Sequence, residues 1–143
     1  MKLTITPQDF VKSVTMDAGW RKAKIKEVTR EQNKEKSGMN NVVLFEVENG
    51  DLPNNLPDLR EIKQWYSDAY PANWIPLLEA LFDRKFTVES FDSDFEFDPN
   101  TFIGTYVWVE ISREPVLDRA TKKDTGRLQN GIKMFMNINN SPV

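Results

Sequence analysis

Lys22, Lys24 and Lys26 take every second position of the segment GWRKAKIKEV, with Ala23 and Ile25 between them. A period of two places the ammonium groups on one face of an extended strand and the apolar side chains on the other. Further cations follow in two polar stretches: Arg30, Lys34 and Lys36 in the first, and Arg119, Lys122, Lys123 and Arg127 in the second. From Arg21 to Lys36 seven basic residues face three acidic ones, and from Arg113 to Arg127 five face three, although the whole chain carries a net charge of −3. Clustered Lys and Arg neutralise phosphates and release their counterions. Trp65, Tyr106, Trp108 and Phe135 add flat rings on which unpaired bases could stack, with Lys63 and Lys133 beside them in sequence. Trp20 and Trp74 are read instead as core.

Other chemistry is closed off by composition. With no cysteine and no histidine, the chain has no disulfide, thiolate metal site, Cys or Ser–His nucleophile, or imidazole acid or base. Carboxylates alone must carry any metal, and clustered ones can also act as acid and base; Glu89, Asp92, Asp94, Glu96 and Asp98 cluster in sequence. Their spacing fits no calcium loop, so they are read as a solvated connection rather than a metal site. No glycine-rich phosphate loop, GxSxG elbow or HExxH helix occurs, and Lys36-Ser37-Gly38 lacks the preceding glycine and the strand-then-helix setting of a phosphate loop. No catalytic residue, metal or cofactor is assigned. The segment MKLTITPQDF has no apolar stretch of signal-peptide length, and nowhere do about 18 apolar residues run together as a membrane span requires. The expected location is the cytoplasm, without membrane anchoring.

These side chains need elements to position them. Residues 1–18 read as an N-terminal arm and 19–143 as one domain. Strands are expected at Gly19–Val28, Val42–Val47, Arg60–Ser67, Thr101–Ser112 and Gly131–Asn139. The turn formers of NGDLPNNLPDL separate the second and third. After Pro71, the positions Trp74, Leu77, Leu78, Leu81 and Phe82 predict a helix, with Pro76 in its first turn, where its missing N–H costs little. The segment DRKFTVESFDSDFEFDPN reads as a short strand or an irregular cover, and Gly104 as a bulge or close backbone contact. In the last strand Ile132, Met134 and Met136 are expected inward, with Lys133 and Phe135 outward. The stretches TREQNKEKSGMNN and REPVLDRATKKDTGRLQN read as long basic loops. The fold class is therefore mainly β: a five-stranded OB-like Greek-key barrel with one helix between strands 3 and 4, whose two basic loops join strands 1 to 2 and 4 to 5.

Taken in order, GWRKAKIKEV, EKSGMNNVVLFEVENG, NWIPLLEALF, FDPNTFIGTYVWVEI and NGIKMF resemble a group of small bacteriophage proteins, the match running from about Gly19 to Phe135. The shared pattern is a Gly-aromatic opening strand, a Lys-Ser-Gly loop before a V-x-F-x-V strand, a Trp-Leu-Leu helix, and a late strand beginning after an Ile-Gly or Leu-Gly pair. Such proteins are thought to be OB-like single-stranded-DNA-binding proteins of phage replication and recombination. Phage and bacterial single-strand binders commonly end in an acidic tail that recruits replication partners, whereas this chain ends NINNSPV, and it has Thr105 where a lysine is frequent in the group. The resemblance implies a sequence-tolerant binder of single-stranded DNA, with RNA the alternative strand, replication or recombination proteins as partners, and homo-oligomerisation. The competing expectation is a phage protein-interaction or virion-assembly module on the same barrel. A metal-dependent nuclease built on the acidic stretch ranks third.

Overall fold

A computed structural model of the chain describes residues 1–7, 9, 15–33, 37–48 and 59–142, apart from the side chains of Leu59 and Arg127. Among the described residues its strands are β1 (Gly19–Gln32), β2 (Met39–Glu48), β3 (Leu59–Ser67), β4 (Tyr106–Leu117) and β5 (Asp124–Asn137), and an eight-residue helix is α1 (Ile75–Phe82). The strands form an antiparallel sheet in the order β3-β2-β1-β4-β5. The sheet is open. Its edge strands β3 and β5 approach each other, but no backbone ladder joins them among the described residues. Among those residues, no helix is long and apolar enough to cross a membrane.

Alternation along the strands builds the core. Ala23 and Ile25 of β1, Val43, Phe45 and Val47 of β2, and Val107, Val109 and Ile111 of β4 are fully buried on the inner face. Over that face lies the short helix, preceded by a 3₁₀ turn at Pro71–Trp74, and it buries Leu77, Leu78 and Ala80. Pro76 falls in the first turn as expected, and Asp83 ends the helix in the left-handed conformation at φ 51°. The buried Asn137 at the end of β5 donates its side-chain amide to the Ala80 carbonyl at 2.8 Å, which ties the helix to the far strand. Trp74 is buried, stacked on Tyr66 at 4.1 Å between centroids, while Trp20 is half-buried.

Two bulges change which side chains face inward. In β1 the register slips between Ile25 and Glu27, leaving Lys26 as an extra residue. One extra residue reverses the alternation beyond it. Val28 and Arg30 consequently join the inner face, while Glu27, Thr29 and Glu31 turn outward. Gly104, at φ 91°, closes this corner: its N–H donates to the Ile25 carbonyl at 2.7 Å, and Ile25 N–H donates to the Thr105 carbonyl at 2.9 Å. A positive φ of this kind is open to glycine at little cost. In β5 the register slips at Lys133. Ile132 and Phe135 therefore face the core, and Met134 is 52% exposed; the expectation that Met134 points inward and Phe135 outward is overturned by that one extra residue.

The expected loops are shorter than their polar composition suggests. β1 runs on to Gln32 and β2 begins at Met39, so Arg30 lies on a strand rather than in a loop. β4 and β5 form a long hairpin whose turn is residues 118–123. The Asp118 carboxylate organises that turn by accepting from Ala120 N–H and Thr121 N–H, both at 2.9 Å, which holds it below the usual carboxylate range. Cross-strand hydrogen bonds, not apolar burial, extend both hairpins, so no hydrophobic period announces them.

Two further segments complete the body. Met16, read from sequence as part of an arm, is 2% exposed within the core cluster, and its backbone is held from both sides by the Asn130 amide at 2.6 and 2.9 Å. Residues 84–102 contain no strand and form an irregular cover with 3₁₀ turns at Val88–Phe91 and Pro99–Phe102. Its phenylalanines pack on one another and on the helix: Phe97 lies 5.2 Å from Trp74 and 6.0 Å from Phe102.

Candidate nucleic-acid interface

Cross-strand register sets out the sheet's outward face as rows. Thr29, Val42 and Trp65 form one, Glu27, Leu44 and Lys63 the next, and Tyr106, Lys24, Glu46 and Glu61 another; Lys22 pairs with Trp108, which pairs with Met136. The face therefore has two aromatic positions, Trp65 on one edge strand and Tyr106 with Trp108 on the other side. Strand spacing and rise separate them by about 20 Å.

The Trp65 corner brings the two hairpin turns together. A depression of about 460 Å³ is lined by Trp65, by Glu31, Gln32 and Asn33 at the end of β1, by Asn40 at the start of β2, and by Arg119 from the β4–β5 turn. Trp65 is 54% exposed, yet it is not loose: its indole N–H donates to the Glu31 carboxylate at 2.8 Å. The bond exists because the Lys26 bulge turned Glu31 outward. On its other side Trp65 borders a cleft of about 530 Å³ along the open β3–β5 seam, shared with Lys63, Leu44, Leu128 and Met16. At the two ends of the β1–β2 connection the Asn33 carboxamide oxygen accepts from Ser37 N–H at 3.0 Å.

Several expected cations are already paired. Lys24 lies 3.9 Å from Glu46, and Lys26 lies 3.7 Å from Glu46 and 2.7 Å from Glu61, the closer carboxylate raising the Lys26 pKa. Arg30, expected to clamp phosphate from a loop, forks onto Asp68 at 2.6 and 3.3 Å and donates to Asn41 at 3.0 Å. That pair raises the Arg30 pKa and holds the Asp68 carboxyl below its ordinary range. The centre of the outward face is thus charge-balanced rather than basic.

The remaining candidates divide. Tyr106 is 47% exposed, so its ring is open. Trp108 is half-buried, donates its indole N–H to the Ile138 carbonyl at 3.3 Å, and has Lys22 Nζ over its ring at 5.6 Å, which uses both the ring and the cation. Phe135 is withdrawn from the site: it packs on the core 5.7 Å from Phe45. Lys63, Arg119, Lys122, Lys123 and Lys133 are exposed without an ion-pair partner among the described residues, but only Lys63 and Arg119 border the hollows around Trp65. Lys34, Lys36 and the Arg127 side chain lie outside the described residues. Asn33, Asn40 and Glu31, which line the depression, were missed from sequence; for Glu31 the signal was the parity reversal at Lys26, which has no local signature.

The acidic stretch makes no metal centre. Asp92, Asp94, Glu96 and Asp98 are all exposed, and among the described residues no three carboxylates are grouped so as to hold an ion. Asp98 caps the following turn, accepting Asn100 N–H at 3.0 Å. Compared with known proteins, the chain matches no protein-family model and no curated sequence.

Proposed function

We propose that this domain binds single-stranded nucleic acid, DNA first, at the corner around Trp65. The observation that carries the reading is one half-exposed indole, anchored through its N–H with its ring uncommitted, standing between the turns of the two hairpins with Arg119 on one side and Lys63 on the other. Base stacking on such a ring contributes about 1–3 kcal/mol per base and tolerates any sequence. The open antiparallel order β3-β2-β1-β4-β5, with a helix between β3 and β4, supports an OB-like reading. OB folds are partly open five-stranded barrels that bind through strands 2 and 3 and the loops corresponding to these two turns. The resemblance to small phage proteins points the same way and suggests a role in replication or recombination.

The charge balance narrows the proposal. With Lys24, Lys26 and Arg30 paired internally, few cations remain to replace counterions, so the contact is short and stacking carries much of it. Fluorescence anisotropy with labelled oligo-dT, against a duplex of equal length and across a salt series, tests this. The expected result is preference for the single strand and a log–log salt slope no steeper than about −2, at roughly −0.7 per phosphate neutralised. Equal binding to duplex, or no binding at low salt, removes the proposal. The balanced face also favours one second reading, a protein-interaction or virion-assembly module that binds no nucleic acid, and absence of oligo-dT binding at low salt selects it.

A further inference from the structure

The acidic cover forms a second surface, made of residues that take no part in the Trp65 corner. Phe91, Phe95 and Phe97 stand along one side of an apolar groove of about 350 Å³, and Pro71, Ile75 and Leu78 of the helical segment form the other. Leu78 is buried at its floor, whereas Phe91 is 43% exposed. The carboxylates interleaved with these rings belong to Asp92, Asp94 and Glu96, all exposed, and none of the three makes a side-chain hydrogen bond or ion pair among the described residues.

We infer that this groove docks a short basic segment of a partner protein, one carrying two or three bulky apolar side chains among its lysines or arginines. An apolar trough takes up side chains at helical or extended spacing, and a rim of one sign selects a ligand of the other. Three carboxylates that no cation among the described residues neutralises present that sign. A second copy of the chain is the alternative occupant. Its most cationic turn, residues 118–123, offers only Ala120 as an apolar side chain and cannot fill the trough. Because the groove shares no residue with the Trp65 hollows, partner and nucleic acid can bind together.

The test is anisotropy of fluorescein-labelled KLLKKLLK and KSSKKSSK peptides with the full chain at physiological salt. The leucine peptide should bind at least tenfold more tightly than the serine peptide. Its affinity should fall at least tenfold in Phe91→Ser and also in Asp92→Lys/Asp94→Lys, whose sites are exposed and leave the core untouched. Oligo-dT binding, measured on the same proteins, should be unchanged, which separates this result from the fate of the nucleic-acid proposal. Equal binding of the two peptides, or unchanged affinity in the charge-reversed protein, overturns the inference. So does sedimentation showing that these substitutions abolish self-association, which would assign the groove to a second copy.

Discussion

The rings of the outward sheet face and those of residues 84–102 alternate with charge in much the same way, but they meet different surroundings. Phe95 and Phe97 lie over the helix and close against Trp74, Phe82 and Phe102, leaving the intervening carboxylates in water. Trp65 and Tyr106 project from the opposite face of the sheet, where both stay about half-exposed, and only the indole N–H of Trp65 is tied. Alternation says that a ring and a charge point opposite ways. The layer across from the ring decides whether it holds the fold or is free to bind.

The widest separation between the regions should appear when one ring is removed from each. Phe97→Ala takes a ring out of the cover and should lower stability by about 3 kcal/mol, read by urea denaturation, while leaving oligo-dT affinity per folded molecule unchanged. Trp65→Ala should do the reverse, with unfolding midpoints nearly unmoved and affinity for oligo-dT reduced by about 1–3 kcal/mol, along with loss of ligand-induced tryptophan quenching. If Trp65→Ala unfolds the protein, or Phe97→Ala abolishes binding in the folded fraction, the division is wrong.

Tyr66 sharpens the comparison from the buried side. Its hydroxyl is buried without a hydrogen-bond partner among the described residues, and burial pushes its pKa upward. An unsatisfied buried polar group is costly, so Tyr66→Phe should raise stability by about 1 kcal/mol while keeping the stack on Trp74. Melting temperature of the variant checks this directly.

The smallest effect belongs to the exposed Arg30–Asp68 fork. The Arg30 guanidinium depresses the Asp68 pKa in the folded state, so its stabilising contribution is present above the ordinary carboxylate range and fades as pH falls through the depressed value. Asp68→Asn should therefore melt slightly below the native protein at pH 7, and the two curves should converge under acid. A difference that persists or grows at low pH would mean that the fork does not titrate as described.

Much of the architecture was legible. Val43–Val47 of β2 and Tyr106–Ile111 of β4 show period-two burial, and Pro71, Pro76 and the leucines mark the helix, because each element buries one face and local spacing records which residues those are. The convergence of the two hairpin turns also followed from strand order. Less of the site was legible. Arg30 was assigned to a loop because its neighbours are polar, although cross-strand hydrogen bonds carry β1 past it. Phe135 was placed outward by counting alternate residues through Lys133, the point where the count breaks.

Periodicity in the chain was enough to specify strands, helix and core, since hydrophobic burial leaves a repeat that can be read one residue after another. The two bulges, the capture of Met16 by Asn130 and the pairing of lysines with glutamates on neighbouring strands were settled only when distant segments met. A bulge adds one residue without changing composition, yet it reverses every side chain beyond it. Whether a charge is spent or available depends on which strand lies 4.7–4.9 Å away, and that neighbour is supplied by the fold.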